Sequence, residues 1–231
     1  MCGRYTLTAP DPAEIRARFG IAPPIQIPPR FNVAPGDDVL AVTTDRAGQP
    51  RGEMLRWGLV PSWSKTPRAE LKMINARVET VARRPAFRSA LERFRCLIVA
   101  DGFYEWQRLP DGRKQAFHIA LDGGGLFAFA GLWSIWKGPD QSKLRSCTIL
   151  TTAANDAIAP LHDRMPIVLA PSAEGRWLDT GTRVDELSEL LSGAAGSQTL
   201  LRAVGPAVND ARYDGPDCLE PPREEQQGAL F

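Results

Sequence analysis

The residue with the most distinctive chemical potential stands at the start of the chain, where Cys2 follows Met1. Initiator methionine is normally removed when the second residue is small, and its removal exposes an α-amine and a thiol on adjacent carbons. Their reference pKa values, about 7.7–8.0 and about 8.5, leave each group partly unprotonated near neutral pH. Such an aminothiol condenses with an aldehyde and closes to a thiazolidine ring. Alone, a cysteine at position 2 is more often incidental than catalytic, so other residues must support this interpretation.

Two segments that alternate with the period of a β-strand place polar side chains where they could serve this thiol. In an extended CGRYTL segment, Cys2 and Arg4 share one face, and in MINARVET so do Asn75, Arg77 and Glu79. An amide beside a guanidinium can hold an amine or a sugar oxygen next to a phosphate. We therefore expect Arg4, Asn75 and Arg77 to face the cleft that holds Cys2. The alternative for MINARVET is an ordinary solvated strand face.

A carboxylate and an imidazole are the candidate proton carriers. Glu105 lies in VADGFYEWQ, where large apolar neighbours make a carboxylate costly to bury and raise its pKa. It could then protonate a leaving hydroxyl, although a structural ion pair is the alternative. His162 lies in APLHDRMPIVLA at a predicted helix-to-strand junction, where Asp163 or Arg164 could tune it as a proton shuttle. His118 alternates within QAFHIAL and is predicted to be structural.

Charge is distributed unevenly along a chain whose formal net charge is only +1. Residues 51–95 carry eleven Lys or Arg against four Asp or Glu, whereas residues 171–231 carry five against eleven. One face could therefore be basic, and Trp57 and Trp63 lie in the basic segment as possible platforms for unstacked bases. The alternatives are tryptophans in the core and charges scattered over the surface. The candidate residues for binding single-stranded DNA are Arg4, Trp57, Trp63, Arg77, Arg83 and Arg84.

The remaining cysteines and the hydropathy pattern argue against several classes of protein. Cys96 and Cys147 lie in apolar runs and Cys218 in a polar one, with no C-x-x-C pair. We therefore expect free thiols, no metal site and no cofactor. No stretch approaches the roughly 20 apolar residues of a membrane span, and the first residues lack a secretory signal. We expect a cytoplasmic monomer that associates with the nucleoid when it is bound to DNA.

Segment patterns predict an α+β fold in which strands outnumber helices and do not alternate regularly with them. DPAEIRARFG is the first predicted helix, between Asp11 and Gly20. PAFRSALERF, AANDAIAP, SAEGRWL and RVDELSELL are the others, and MINARVET is predicted to be a strand throughout. We expect a single domain over residues 1–208, with a curved, barrel-like, mainly antiparallel β core and a few flanking helices. Residues 209–231 are polar and rich in proline, and are predicted to be a mobile tail.

Ordered motifs add a family resemblance to this picture. MCGRYTL, FNVAP, RWGLVPSW, NARVET, DGFYEW, HDRMP and VGPAVN occur in that order over nearly the whole predicted domain. With them the chain closely resembles the SOS response-associated peptidase (SRAP) family of abasic-site processing proteins. The resemblance implies an α+β domain with a barrel-like core and a positively charged groove for single-stranded DNA. It further implies that Cys2 forms a DNA–protein crosslink and that Asn75, Glu105 and His162 complete the active site.

Three functions remain open at this point. The first is covalent capture of abasic sites in single-stranded DNA through a thiazolidine at Cys2, which shields the lesion. The second is a thiol peptidase, either releasing Met1 from its own chain, as proposed for the family, or cleaving other proteins with Cys2 as nucleophile and His162 as base. The third is a plain single-strand binder in which Cys2 is incidental. The ordered motifs favour the first.

Overall fold

The computed structural model describes residues 2–24, 26–67, 73–192 and 199–223, which form twelve strands, five α-helices and two short 3₁₀ helices. The strands are β1 (Tyr5–Leu7), β2 (Arg30–Val33), β3 (Asp38–Thr44), β4 (Pro50–Trp57), β5 (Asn75–Arg77), β6 (Arg95–Ala100), β7 (Gly102–Arg108), β8 (Lys114–Leu121), β9 (Phe127–Lys137), β10 (Lys143–Ala153), β11 (Arg164–Pro166) and β12 (Thr199–Val204). The α-helices are α1 (Pro12–Phe19), α2 (Val78–Val81), α3 (Pro85–Arg93), α4 (Pro171–Leu178) and α5 (Val184–Ser192). The 3₁₀ helices are Pro206–Asn209 and Pro216–Leu219.

A closed barrel and a second sheet form the β core. Around the barrel the strand order is β10, β4, β3, β6 and β9, and pairing of β9 with β10 closes it. The contact of β10 with β4 is parallel and the other barrel contacts are antiparallel. The second sheet is antiparallel, in the order β12, β8, β7, β1 and β2. The predicted α+β fold with a barrel-like, mainly antiparallel core is therefore confirmed.

Alternate residues of the barrel strands belong to two separate apolar clusters, as the two-residue period of a strand requires. In β3, Leu40 packs in a cluster that includes residues of α1, α3, α4 and α5, such as Phe87 and Trp177. Its neighbour Ala41 belongs to a second cluster, which joins the barrel to the other sheet and includes Phe103. The second cluster also contains Cys2, so the N-terminal segment is anchored by core packing.

Helix ends follow the predicted signals except in one segment. Asp11 caps α1 by accepting the N–H of Ala13 at 2.9 Å, and Gly20 ends the helix with a positive φ of 68°. AANDAIAP was predicted to be a helix, which is wrong, because residues 156–161 form hydrogen-bonded turns. Asn155 caps the first turn by accepting the N–H of Ile158 at 3.0 Å, but Pro160 has no N–H to donate to the C=O of Asp156, so a regular helix does not follow. No helix in the described ranges is long and apolar enough to cross a membrane.

MINARVET was predicted to be one strand, and this is wrong beyond Arg77. The ladder of β5 covers only Asn75–Arg77, each residue pairing in parallel with β10. Val78–Val81 then forms the single turn of α2, and Val81 packs into the apolar cluster that contains the helices. Burial of that valine on a helical turn outweighs the β propensity of the segment. Glu79 therefore lies on a helix, outside the strand face that we assigned to it.

The C-terminal segment, predicted to be a mobile tail from residue 209, is packed on the second sheet as far as Glu220, whose C=O accepts the N–H of Gly205 at 2.8 Å. The amide nitrogen of Asn32, a residue that is 1% exposed, donates to the C=O groups of Asp210 at 2.9 Å and Tyr213 at 2.7 Å. The carboxylate of Asp214 accepts the N–H groups of Phe31 and Asn32, at 2.6 and 2.9 Å, and Cys218 is fully buried. Residues 224–231 lie outside the described ranges.

We expect Asp214→Ala to lower the free energy of unfolding by about 1–3 kcal/mol, because it removes the acceptor of two backbone N–H groups and a partner of Arg30. Urea denaturation of the full chain measures this change. Asp122→Ala removes the same charge from an exposed turn and should leave the midpoint unchanged. Equal midpoints for the two variants would show that the segment adds no stability through Asp214.

Candidate active site

The N-terminal segment reaches the candidate site along β7. β1 pairs antiparallel with β7, and the ladder continues where the N–H of Tyr104 donates to the C=O of Arg4 at 3.0 Å. This bond holds Arg4 beside Tyr104, the neighbour of Glu105 in β7. Cys2, two residues before Arg4, is thereby brought near the part of β7 that carries the candidate acid.

The thiol of Cys2 is fully buried and close to a carboxyl group. Its Sγ lies 3.7 Å from the C=O of Arg4. Burial raises the pKa of this thiol well above its usual range, and the charge of Glu105 raises it further. The second effect requires Cys2 and Glu105 to be close in space. In the full-length chain the thiol is therefore protonated at neutral pH, and its own nitrogen is part of a peptide bond.

Cys2 and Arg4 were predicted to share one face, which is wrong. Cys2 packs in the same cluster as Tyr5, whereas Arg4 donates through Nη1 to the C=O of Val208 at 2.8 Å, under the C-terminal segment. The physical reason is that β1 begins only at Tyr5, so the two-residue alternation does not extend back to position 2. Arg4 is thus held by the protein itself, and its guanidinium lies 6.0 Å from the ring of Trp106.

Asn75 contacts Cys2 directly. Its Nδ2 donates to the C=O of Cys2 at 2.7 Å. Its Oδ1 is buried and accepts no hydrogen bond within the part of the chain that the structure describes. Leaving a buried amide oxygen without a donor costs free energy, so the side chain is held by its bond to Cys2 with one acceptor still open. An amine formed at Cys2 is a donor of the kind that this oxygen could accept.

Glu105 has the properties expected of an acid that is still partly protonated at neutral pH. Its side chain is 2% exposed, and burial raises its pKa to about 7. The nearby carboxylate of Asp163 also raises this pKa, which places Glu105 close to the residue that follows His162. The shift predicted from the apolar neighbours is therefore confirmed in direction, whereas the contribution of Asp163 had no signal in the sequence.

His162 is neutral and presents a defined tautomer. Burial lowers its pKa below the usual value, and its Nδ1 accepts the backbone N–H of Arg164 at 3.0 Å. The carboxylate of Asp163 also lies 2.7 Å from Nδ1, which would favour the charged ring, but this side chain is 82% exposed and free to turn into solvent. The backbone N–H is fixed, so it decides the tautomer, and Nε2 carries the proton.

The predicted DNA-contacting residues divide into exposed and buried ones. Arg77, Arg83 and Arg84 are exposed on and after β5, and Trp63 is 66% exposed. Trp57 is only 1% exposed and donates through Nε1 to the C=O of Ile74 at 2.9 Å, so it cannot stack on a base. Trp57 was predicted to be a stacking platform for a base, and this is wrong. The alternation of side chains within β4 turns Trp57 inward, where it packs in the core.

Three observations concern groups other than the candidate residues Cys2, Asn75, Glu105 and His162. His118 donates through Nε2 to the hydroxyl of Thr6, at 3.1 Å, because that hydroxyl already donates to Asp101. This pairing fits its predicted structural role. Within the described ranges, no group of three or more His, Cys, Asp or Glu side chains has the arrangement of a metal site. Asn32 belongs to the FNVAP motif, but its part in holding Arg4 and the C-terminal segment was not predicted.

Known proteins similar to this chain cover between 72% and 95% of its length. "Abasic site processing protein YoqW" of Bacillus subtilis is 39% identical over 224 residues, 95% of this chain and 99% of that protein. "Abasic site processing protein YedK" of Escherichia coli is 30% identical over 194 residues, 83% of this chain and 84% of that protein. "Abasic site processing protein HMCES" of Rattus norvegicus is 29% identical, over 72% of this chain and 56% of that protein.

Solved structures support the fold. A protein from Bacteroides thetaiotaomicron superposes with a TM-score of 0.83 at 18% identity, over 96% of this chain and all of that one. A phage-related protein from Bordetella bronchiseptica gives a TM-score of 0.66 at 27% identity, over 87% of this chain and 93% of that one. The family model described as "SOS response associated peptidase (SRAP)" matches residues 1–211. The chain therefore belongs to the SRAP family.

Proposed function

We propose that this chain, after loss of Met1, captures the ring-opened aldehyde of abasic sites in single-stranded DNA as a covalent thiazolidine at Cys2. The observation that carries the proposal is the convergence on Cys2 of an amide that binds its carbonyl and a buried carboxyl with a pKa of about 7. The names of the similar proteins, abasic site processing proteins, agree with this lesion as the substrate.

The proposed reaction needs no external oxidant, reductant or cofactor. The α-amine of Cys2 adds to the aldehyde carbon, and a proton transfer gives a carbinolamine. Protonation of its hydroxyl expels water and leaves an iminium ion. The thiol sulfur then forms a bond to the same carbon and releases its proton, which gives the five-membered thiazolidine. In total, aldehyde and aminothiol combine with the loss of one water molecule.

Each residue near Cys2 has a distinct task in this scheme. Glu105 supplies the proton that turns the carbinolamine hydroxyl into leaving water. The open acceptor Oδ1 of Asn75 receives an N–H of the amine and so aims its lone pair at the aldehyde. His162, neutral with a proton on Nε2, can donate a hydrogen bond to a sugar or phosphate oxygen. The new α-ammonium group also lowers the pKa of the adjacent thiol once Met1 is gone.

Single-stranded DNA is the proposed form of the substrate because exposed arginines lie on and directly after the strand that carries Asn75, and an exposed tryptophan lies in the loop after β4. Arg77, Arg83 and Arg84 can contact phosphates, and Trp63 can stack on an unpaired base. Contacts of this kind do not depend on base identity, which suits a protein that acts where a base is missing.

We expect Arg77→Ala to weaken binding to every single strand, with or without the lesion, and to reduce the slope of log affinity against log salt concentration by about 0.7, the value for one phosphate contact in a single strand. Fluorescence anisotropy at several salt concentrations measures both effects. Arg183→Ala removes an exposed arginine that pairs with Asp185 on the acidic part of the chain and serves as the matched control. An unchanged slope in Arg77→Ala would assign Arg77 to structure.

The test of the proposed function uses mature protein and two oligonucleotides that differ at one position. One carries an abasic site with its aldehyde, and the other carries the same site after reduction to the alcohol. We expect an adduct that survives denaturant only with the aldehyde, with a mass equal to protein plus DNA minus one water. Absence of this adduct, or equal adducts with both strands, would contradict the proposal.

Release of Met1 by the chain itself is a second candidate, favoured by the family description as a peptidase and by the place of Cys2 next to the bond to be cut. The thiol would attack the carbonyl of Met1, the C–N bond to Cys2 would break, and water would hydrolyse the resulting thioester. Purified precursor that retains Met1 should then lose it without added peptidase. If the purified precursor keeps Met1, release by the chain itself is contradicted, and another enzyme must remove Met1.

A further inference from the structure

Two very short strands hold the candidate site on the last residues of β10. Thr151 of β10 lies opposite Arg77 of β5 on one side and opposite Pro166 of β11 on the other. Each of these strands has three residues. Asn75 begins β5, and His162 lies two residues before β11 begins. The spacing between Asn75 and His162 therefore depends on how firmly two short strands are fixed to β10.

One guanidinium links all three segments. Nη1 of Arg164, in β11, donates to Oε1 of Glu79 at 2.6 Å, and Nη2 donates to Oε2 at 3.0 Å. Nη2 also donates to the C=O of Thr151 at 2.7 Å. Glu79 lies on α2, directly after β5, so Arg164 ties the Asn75 segment, the end of β10 and the segment that follows His162. We call this set of contacts the Glu79–Arg164 clamp.

The Glu79–Arg164 clamp stabilises a part of the chain that is weak on its own. A helix of one turn does not hold its shape by its own hydrogen bonds, and α2 has no side-chain cap at its N-terminus. Arg164 is 9% exposed, so its bidentate bond to a carboxylate is partly shielded from water and is stronger than a surface ion pair. The hydrogen bond from Arg164 lowers the pKa of Glu79, which keeps the carboxylate ionised at neutral pH.

We propose that Glu79, acting through Arg164, is a positioning residue that sets the spacing between Asn75 and His162. This inference rests on the proposed function. Glu79 faces outward, with a side chain that is 49% exposed, and takes no part in the chemistry itself. Its loss would let α2 and the His162 segment move independently, and errors near 1 Å in an active site cost about a hundredfold in rate.

The experiment compares Glu79→Ala and Glu79→Gln with wild type in single-turnover crosslinking to an abasic oligonucleotide at saturating protein. We expect a rate reduced about tenfold to a hundredfold in Glu79→Ala. Glu79→Gln should be less affected because its amide oxygen still accepts from Arg164. Affinity for an oligonucleotide without the lesion should be unchanged. The imidazole NMR signals of His162 should shift in Glu79→Ala. A lower free energy of unfolding alone would not shift them, because it does not change the surroundings of His162 in molecules that remain folded.

Glu92→Ala is the matched control, because it removes an exposed carboxylate from the same basic segment without touching the clamp. It should crosslink at the wild-type rate. A wild-type rate in Glu79→Ala at saturating protein would overturn the inference, and a deficit found only below saturation would assign Glu79 to DNA binding instead. If wild type itself forms no adduct, the proposed function fails, and that result is distinct from either outcome.

Discussion

Mature Cys2→Ser protein is expected to form no denaturant-resistant adduct with an abasic oligonucleotide. Serine is small enough for removal of Met1, so the variant keeps the α-amine and can still form an imine. Its hydroxyl is a far weaker nucleophile than a thiol near neutral pH, so ring closure fails and the imine hydrolyses. Gel electrophoresis after denaturation measures the loss, which we expect to be complete. Added borohydride should restore an adduct by reducing the imine to an amine.

Two comparisons separate this chemistry from its alternatives. Cys218→Ala removes another buried thiol and should crosslink as wild type does. In wild-type preparations, the fraction that crosslinks should not exceed the fraction that lacks Met1 by mass spectrometry. An undiminished adduct in Cys2→Ser without borohydride would eliminate the thiazolidine. If the chain were a plain single-strand binder, neither wild type nor any variant would form an adduct. Each would bind the two oligonucleotides, with the aldehyde and with the alcohol, equally well.

Local sequence signals predicted those parts of the fold that depend on neighbouring residues. The cap at Asp11 and the left-handed Gly20 bound α1 as expected. The errors arose where distant contacts decide the conformation. MINARVET bends into α2 because Val81 is buried against the helices, and residues 210–213 pack on the second sheet because Asn32, far away in sequence, binds two of their carbonyl groups. Neither partner can be identified from the segment alone.

The candidate site shows the same division. The raised pKa of Glu105 could be predicted because its apolar neighbours adjoin it in sequence. The bond from Asn75 to the C=O of Cys2 could not be derived from spacing, since it depends on the separate pairings of β1 with β7 and of β5 with β10. The alternation assigned to Cys2 failed because regular strand pairing begins only at Tyr5.

Burial of the thiol has a consequence for the order of events. A protonated, fully buried Cys2 is a poor nucleophile in the precursor, which argues against release of Met1 by this thiol. In the proposed reaction, removal of Met1 frees the α-amine, whose neutral form attacks the aldehyde first. The iminium ion that follows places a positive charge beside the thiol and favours its thiolate form. One cleavage would therefore activate both groups in turn.

Glu105→Gln is expected to slow crosslinking by about 10²–10⁴-fold and to change its dependence on pH. In wild type the rate should rise with pH as the α-amine loses its proton near about 7.7–8.0. It should fall with pH as Glu105, with a pKa of about 7, loses the proton that the leaving hydroxyl needs. The product of these two fractions has a maximum between the two pKa values. Glutamine carries no titrating proton, so the variant should keep only the rising limb.

Single-turnover rates between about pH 5 and 9, a range that covers both pKa values, test this expectation. Asp163→Asn is the matched variant: it removes a carboxylate that raises the pKa of Glu105 and should move the falling limb of the profile to lower pH without abolishing it. A Glu105→Gln rate equal to wild type, or a falling limb that persists in this variant, would remove Glu105 from the acid role. The proton would then have to come from another group, and the neutral Nε2–H of His162 would be the next candidate.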